Sequence, residues 1–64
     1  MKIKKEKYCI IRKSFPLEFM QDGSAYDTIE EVVPMDREYC ENELKTYGEP
    51  EEYQIIKVKI TYEF

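Results

Sequence analysis

Histidine is absent from this 64-residue chain, and the usual carrier of protons at neutral pH goes with it. Only two cysteines are present, Cys9 and Cys40, 31 positions apart, so neither has a neighbouring thiol with which to build a zinc site. No element of the sequence would lower the pKa of either, and two thiols without a signal peptide are expected to be reduced, partly buried core residues. The two glycines, Gly23 and Gly48, are far apart and each has a structural place, which excludes a glycine-rich phosphate loop. Asp22-Gly23 does not begin a calcium loop. No stretch approaches the roughly 20 apolar residues of a membrane span. Met1-Lys2-Ile3-Lys4-Lys5 lacks the apolar run of a secretory signal, so the expected location is the cytoplasm. The adjacent carboxylates Glu30-Glu31 and Glu51-Glu52 would face opposite ways on a strand or be solvated in a loop. The sequence therefore reads as a non-enzyme with no cofactor and no metal.

What is abundant is charge, and it is segregated. Residues 1–13 carry a net +5, residues 14–56 a net −10 and residues 57–64 a net +1, giving −4 overall. The apolar fraction of 42% is too high for a disordered chain, and its residues fall in strand-like and helix-like runs. A single domain over residues 1–64 is expected. A chain of this size buries only about 60% of the surface its unfolded form exposes. Its stability should be modest, and self-association is a natural remedy.

The first strand is expected over Ile3 to Phe15, with Cys9, Ile11 and Phe15 on one face and Tyr8 and Ile10 on the other. A strand apolar on both faces suggests a covered centre or an interface. Pro16 removes a backbone donor and should end the ladder. Asp22-Gly23 accommodates the positive φ of a hairpin turn and places a chain reversal there. Ala25 to Val33 has two readings. Thr28 and Glu31 have the spacing of a capping box for a short helix, but the preceding turn and the β-branched Thr28, Ile29, Val32 and Val33 favour a strand.

A helix follows, with Asp36 as N-cap, Glu38 in its first turn, Gly48 placed to end it in a left-handed conformation and Pro50 blocking continuation. At about 100° per residue, Cys40, Leu44 and Tyr47 form the buried stripe, while Glu38, Asn42 and Lys45 point away. Tyr39 falls off the stripe and should be exposed. Arg37 lies beside it, with a stem that can pack and a head that can reach a carboxylate. The last strand, Tyr53 to Phe64, puts Ile56, Val58, Ile60, Tyr62 and Phe64 on one face, expected to lie under the helix. The expected fold is α+β, a two-layer mini-domain with a mainly antiparallel three-stranded sheet and one helix on one face, in the order β-β-α-β.

Recognition of a protein partner is the function this pattern favours. Glu38, Glu41, Glu43, Glu49, Glu51 and Glu52 gather on the helix and the loop after it, and Asp27, Glu30 and Glu31 add to them if the second strand packs nearby. Six tyrosines supply amphipathic anchors, Tyr39 among them. The expected partner-binding set is Glu38, Tyr39, Glu41, Glu49, Glu51 and Glu52. A dense carboxylate surface attracts a basic groove and steers encounter. The alternatives are nucleic-acid contact through Lys4, Lys5 and Lys7 on the first strand, which the overall acidity opposes, and a self-associating structural role without a separate ligand. The same lysines also serve to protect an edge strand from aggregation.

Lysine outnumbers arginine eight to two, Ala25 is the only alanine, and Ile, Tyr and Glu are frequent. From Met1-Lys2-Ile3-Lys4-Lys5 through Asp22-Gly23 to Ile60-Thr61-Tyr62-Glu63-Phe64, the chain resembles the small accessory proteins of bacteriophages that infect low-GC Gram-positive bacteria. That resemblance implies inhibition or redirection of a host protein, anti-restriction and anti-CRISPR roles included, in the cytoplasm of a bacterial host cell.

Overall fold

Two eleven-residue strands, paired along their whole length, set the shape of the molecule. The computed structural model describes residues 1–14 and 16–64; Phe15, the expected end of the first strand, lies outside them. Strand β1 (Lys2–Arg12) pairs antiparallel with β4 (Tyr53–Glu63), from Lys2 opposite Glu63 to Arg12 opposite Tyr53. On its other side β1 pairs with β2 (Glu18–Gln21) over Ile10–Arg12 only, and β2 pairs with β3 (Ser24–Tyr26). The sheet order is β3-β2-β1-β4.

Over the described residues the structure is thus a small α+β fold with a four-stranded antiparallel sheet and one α-helix, where three strands in the order β-β-α-β were expected. The additional strand is β2, only four residues long and rich in neither β-branched nor alternating residues. The reversal lies where the Asp-Gly signal puts it. Asp22 at φ 51° and Gly23 at φ 80° form a two-residue turn with Gln21 opposite Ser24, the primed turn that matches the twist of a hairpin.

The reading of 25–33 as one strand is corrected. Strand β3 stops at Tyr26, and Ile29–Glu31 form a 3-10 turn. The capping pair decides it: the Glu31 carboxylate accepts hydrogen bonds from the backbone N–H of Asp27 (3.1 Å) and of Thr28 (3.2 Å). The chain then returns to the edge of β1. Tyr8 and Met35 exchange backbone hydrogen bonds, and the Gln21 side chain bonds both N–H and C=O of Val33.

Helix α1 (Arg37–Leu44) buries Cys40, with Leu44 half-buried and Tyr47, just beyond its end, half-buried too, while Glu38, Asn42 and Lys45 are exposed, as the stripe requires. It ends differently from expectation. Lys45 caps it in right-handed geometry, and Gly48 does not have a positive φ. The last carbonyls are instead taken up by a tightened turn, Thr46 N–H to Glu43 and Tyr47 N–H to Leu44. Pro50 opens a second 3-10 turn, Pro50–Glu52, that leads into β4.

The helix also covers the other face of β4 from the one expected. The Tyr47 and Tyr53 rings lie 4.8 Å apart, and the Arg37 guanidinium sits 5.8 Å from the centre of the Tyr8 ring. Tyr8, Ile10 and Arg12 share a face with Tyr53, Ile55 and Lys57. The five-residue apolar stripe of Ile56, Val58, Ile60, Tyr62 and Phe64 therefore lies on the face away from the helix. Alternation shows which residues share a face; the docking of α1 through Tyr8 and Tyr53 decides which face is covered.

Cys9, Ile10, Val32 and Cys40 are the buried core, and since Cys9 and Ile10 point to opposite faces, the centre of β1 is covered on both sides, as its two-faced pattern suggests. The core is small. Beyond it, residues 2–7 of β1 and 58–63 of β4 continue as a two-stranded ribbon, which stretches the molecule to 43 × 23 × 16 Å. The radius of gyration, 12.5 Å, exceeds the roughly 11 Å of a compact chain of this length accordingly.

Candidate protein-binding surface

Among the described residues, five carboxylates are held in ion pairs. Glu6, Glu18, Asp36, Glu41 and Glu63 each have a cationic partner: Lys57 (3.3 Å), Arg12 (2.9 Å), Lys7 (2.7 Å), Arg37 (3.1 Å) and Lys2 (3.3 Å) respectively. Glu38, Glu49, Glu51 and Glu52 have no ion-pair partner among the described residues and all four are exposed. Their charge is left to the solvent or to a partner.

The fold brings most of the expected set together. Glu38 and Glu41 are three apart on α1 and so neighbours on its surface. Glu41 then lines a shallow hollow with Leu44, Lys45 and Pro50, which joins the helix to the turn carrying Glu51 and Glu52. Within that turn the carboxylates crowd one another: the charge of Glu52, then a hydrogen bond with it, raises the Glu49 carboxyl above its ordinary range. That direction is the one expected where like charges are concentrated.

Tyr39 is 42% exposed, as its off-stripe position predicts, but it belongs to a different neighbourhood. Its hydroxyl donates to the Asp22 carboxylate at 3.1 Å, and that bond raises the Tyr39 pKa. Close by, Asp22 N–H donates to Glu43 at 3.2 Å and the Tyr47 hydroxyl donates to the same carboxylate. Burial, then Glu43, holds the Tyr47 phenol well above its usual range. Asp22, Tyr39, Glu43 and Tyr47 thus line a hollow between the hairpin tip and the helix. Sequence spacing did not reveal this group, because its members come from the hairpin turn, from α1 and from the segment just beyond the helix; only the strength of the Asp-Gly signal hinted that Asp22 was fixed.

The rest of the candidate residues are dispersed. Glu31 is engaged in capping its own turn. Lys5 and Lys7 lie on one face of β1 and Lys4 on the other, so the basic stripe is split, and Lys7 is tied to Asp36. On the face of Lys4, Lys2, Lys57 and Lys59 are interleaved with Glu6 and Glu63. Both thiols are free and buried, Cys9 raised by burial and Cys40 pushed up to about 11 by burial and then by neighbouring negative charge. No protein-family model, curated protein or solved structure matches this chain.

Proposed function

We propose that this chain is a small protein-binding module that presents the acidic edge formed by Glu38, Glu41, Glu49, Glu51 and Glu52 to a basic surface of a partner protein. The observation that carries the reading is the density of exposed carboxylates on α1 and the segment after it, where Glu38, Glu49, Glu51 and Glu52 have no ion-pair partner among the described residues and Glu41 is paired only within the helix, to Arg37. The repulsion between Glu49 and Glu52 is of the kind that an approaching cationic surface relieves. The adjoining hollow at Leu44 and Pro50 offers an apolar patch beside the charge. A modulator of a host protein, as the likeness to phage accessory proteins implies, is the role such a surface fits.

Nucleic-acid contact is the weaker reading, since Lys4, Lys5 and Lys7 do not share one face and Glu6 and Glu63 interrupt the lysines that do.

The test is capture of partners from a low-GC Gram-positive lysate by the wild type and by a variant with Glu38, Glu41, Glu49 and Glu52 all changed to Lys. A stoichiometric protein lost both on charge reversal and on raising salt from about 0.05 to 0.3 M supports the reading. Undiminished capture by the reversed variant overturns it.

A further inference from the structure

We infer that the free edge of β4 pairs with the β4 of a second copy of this chain, antiparallel, with Ile60 on the two-fold axis. This stands independently of the acidic surface.

The sheet has two edges of different kinds. Strand β3 is three residues long, whereas β4 runs eleven residues without Pro, Gly or a bulge, and no strand among the described residues pairs with its outer side. Half of its backbone groups point outward. Phe64 and Met1 exchange hydrogen bonds, and Lys13 N–H donates to Glu52, so the even-numbered residues of β4 bond toward β1 and the odd-numbered ones, Lys57, Lys59, Thr61 and Glu63, present N–H and C=O to the free side. The ribbon they belong to needs a neighbour: residues 2–7 and 58–63 are only two strands wide, and an isolated two-stranded ribbon is marginal in water.

The side chains select a second copy and fix its register. A two-fold axis normal to the sheet sets residues of the same face opposite one another. Centring it on Val58 puts Lys57 opposite Lys59, and centring it on Lys59 puts Lys59 opposite itself; both oppose like charges. Centring it on Ile60 puts Lys57 opposite Glu63 of the second copy and Lys59 opposite Thr61. It also sets Val58 opposite Tyr62, Ile56 opposite Phe64 and Ile60 opposite Ile60. Every cross-strand pair is then apolar with apolar, opposite in charge, or lysine with threonine. Centring on Thr61 also avoids like charges but shortens the ladder and leaves Lys57 out. Tyr62 and Phe64, now 50% and 70% exposed, gain apolar neighbours, and the ribbon becomes four strands wide as β1-β4-β4-β1. Both acidic helices then lie on the same side of one continuous sheet.

Backbone pairing of this kind buries an area at the small end for protein interfaces, so a concentration-dependent monomer–dimer equilibrium is expected. Sedimentation equilibrium across a range of loading concentrations reads it directly. Lys59→Pro removes an outward N–H that β1 does not use and is expected to leave only monomer. Ile60→Cys tests the register without relying on that variant folding. A non-hydrogen-bonded pair on the axis sets the two Cα atoms about 4.5 Å apart, within disulfide reach, so mild oxidation gives a covalent dimer, while Val58→Cys and Tyr62→Cys give none. A wild type that stays monomeric at every concentration, or cross-linking that is strongest at Lys59→Cys or Thr61→Cys, overturns the proposal.

Discussion

Lys7 Nζ lies 2.7 Å from Asp36 Oδ1, and this contact ties the centre of β1 to the residue that precedes α1. Asp36 has the extended backbone of an N-cap, but its side chain makes no capping bond; it is turned to the lysine instead. The lysine, by hydrogen bond and then by charge, holds the Asp36 carboxyl below its ordinary value of 3.8. A carboxyl lowered in the folded state stabilises it above the ordinary value, and that stabilisation is lost as the pH falls through the lowered one. Lys7→Gln is therefore expected to have a lower urea midpoint than the wild type at pH 7, with the two curves converging as the pH falls below about 4. A gap that stays constant down to pH 2 would show that Lys7 acts through packing of its stem.

Glu49 shows the opposite sign. Its carboxyl is raised by Glu52 above the ordinary value of 4.5, so stability falls as the pH rises from that value through the raised one, and the full cost is present at neutral pH. Glu52→Gln removes the repulsion and is expected to raise the urea midpoint at pH 7 and to leave it unchanged at pH 3. A midpoint that falls at pH 7 would show that Glu52 contributes to the fold by contacts other than its charge against Glu49. The same variant should weaken partner capture, so stability and binding are expected to move in opposite directions.

The two glycines are distinguished by backbone geometry. Gly23 has φ 80°, where an L side chain is strained even though nothing lies within 4 Å of an added Cβ. Gly23→Ala is expected to cost about 1–2 kcal/mol. Gly48 is equally open but has no positive φ, so Gly48→Ala is expected to be neutral or to stabilise by up to about 1 kcal/mol through the unfolded chain. Chemical denaturation of the two variants side by side measures the contrast, and a Gly48→Ala as damaging as Gly23→Ala would remove it.

These positions also show how far residue patterns carry. The Asp22-Gly23 turn, the Cys40-Leu44-Tyr47 stripe, the exposure of Tyr39 and the two-faced centre of β1 follow from local rules, because φ preference and periodicity act within a few residues. Gly48 and Pro50 mark the end of the helix as a region, but whether the last carbonyls go to a left-handed glycine or to a tightened turn depends on Thr46, which bonds back to the Glu43 carbonyl at 2.6 Å. At 25–33 the β-branched residues and the Thr28–Glu31 pair conflict, and side-chain capping prevails because β3 has no further partner strand to satisfy its backbone. The face of β4 that α1 covers is set by tertiary contact between Tyr47 and Tyr53, which no periodicity encodes. For the same reason the acidic residues of α1 and of the turn after it were legible as runs along the chain, whereas the grouping of Asp22 with Tyr39, Glu43 and Tyr47 was not.

Cys9 and Cys40 give a direct reading of how firmly this small core is closed. Both are free and at most 5% exposed, and both are raised in pKa, Cys40 to about 11. Because the thiolate is the reactive form, burial and the raised pKa each slow alkylation, and at pH 8 the native thiols are expected to react far more slowly than free cysteine. In urea both should react at the rate of an unfolded chain. A thiol raised in the folded state favours the fold less as the pH climbs through the unfolded thiol range toward the folded value, so stability should decline above about pH 9. Because the core they share is sealed by few residues, their labelling is expected to require global rather than local opening, and the free energies from Cys9 and Cys40 labelling should agree with each other and with the urea value. Mass spectrometry of iodoacetamide-treated protein, resolved by peptide, measures both. Fast labelling of Cys40 alone would place a local opening at the contact between α1 and the Tyr8 carbonyl, to which Cys40 Sγ donates at 3.4 Å.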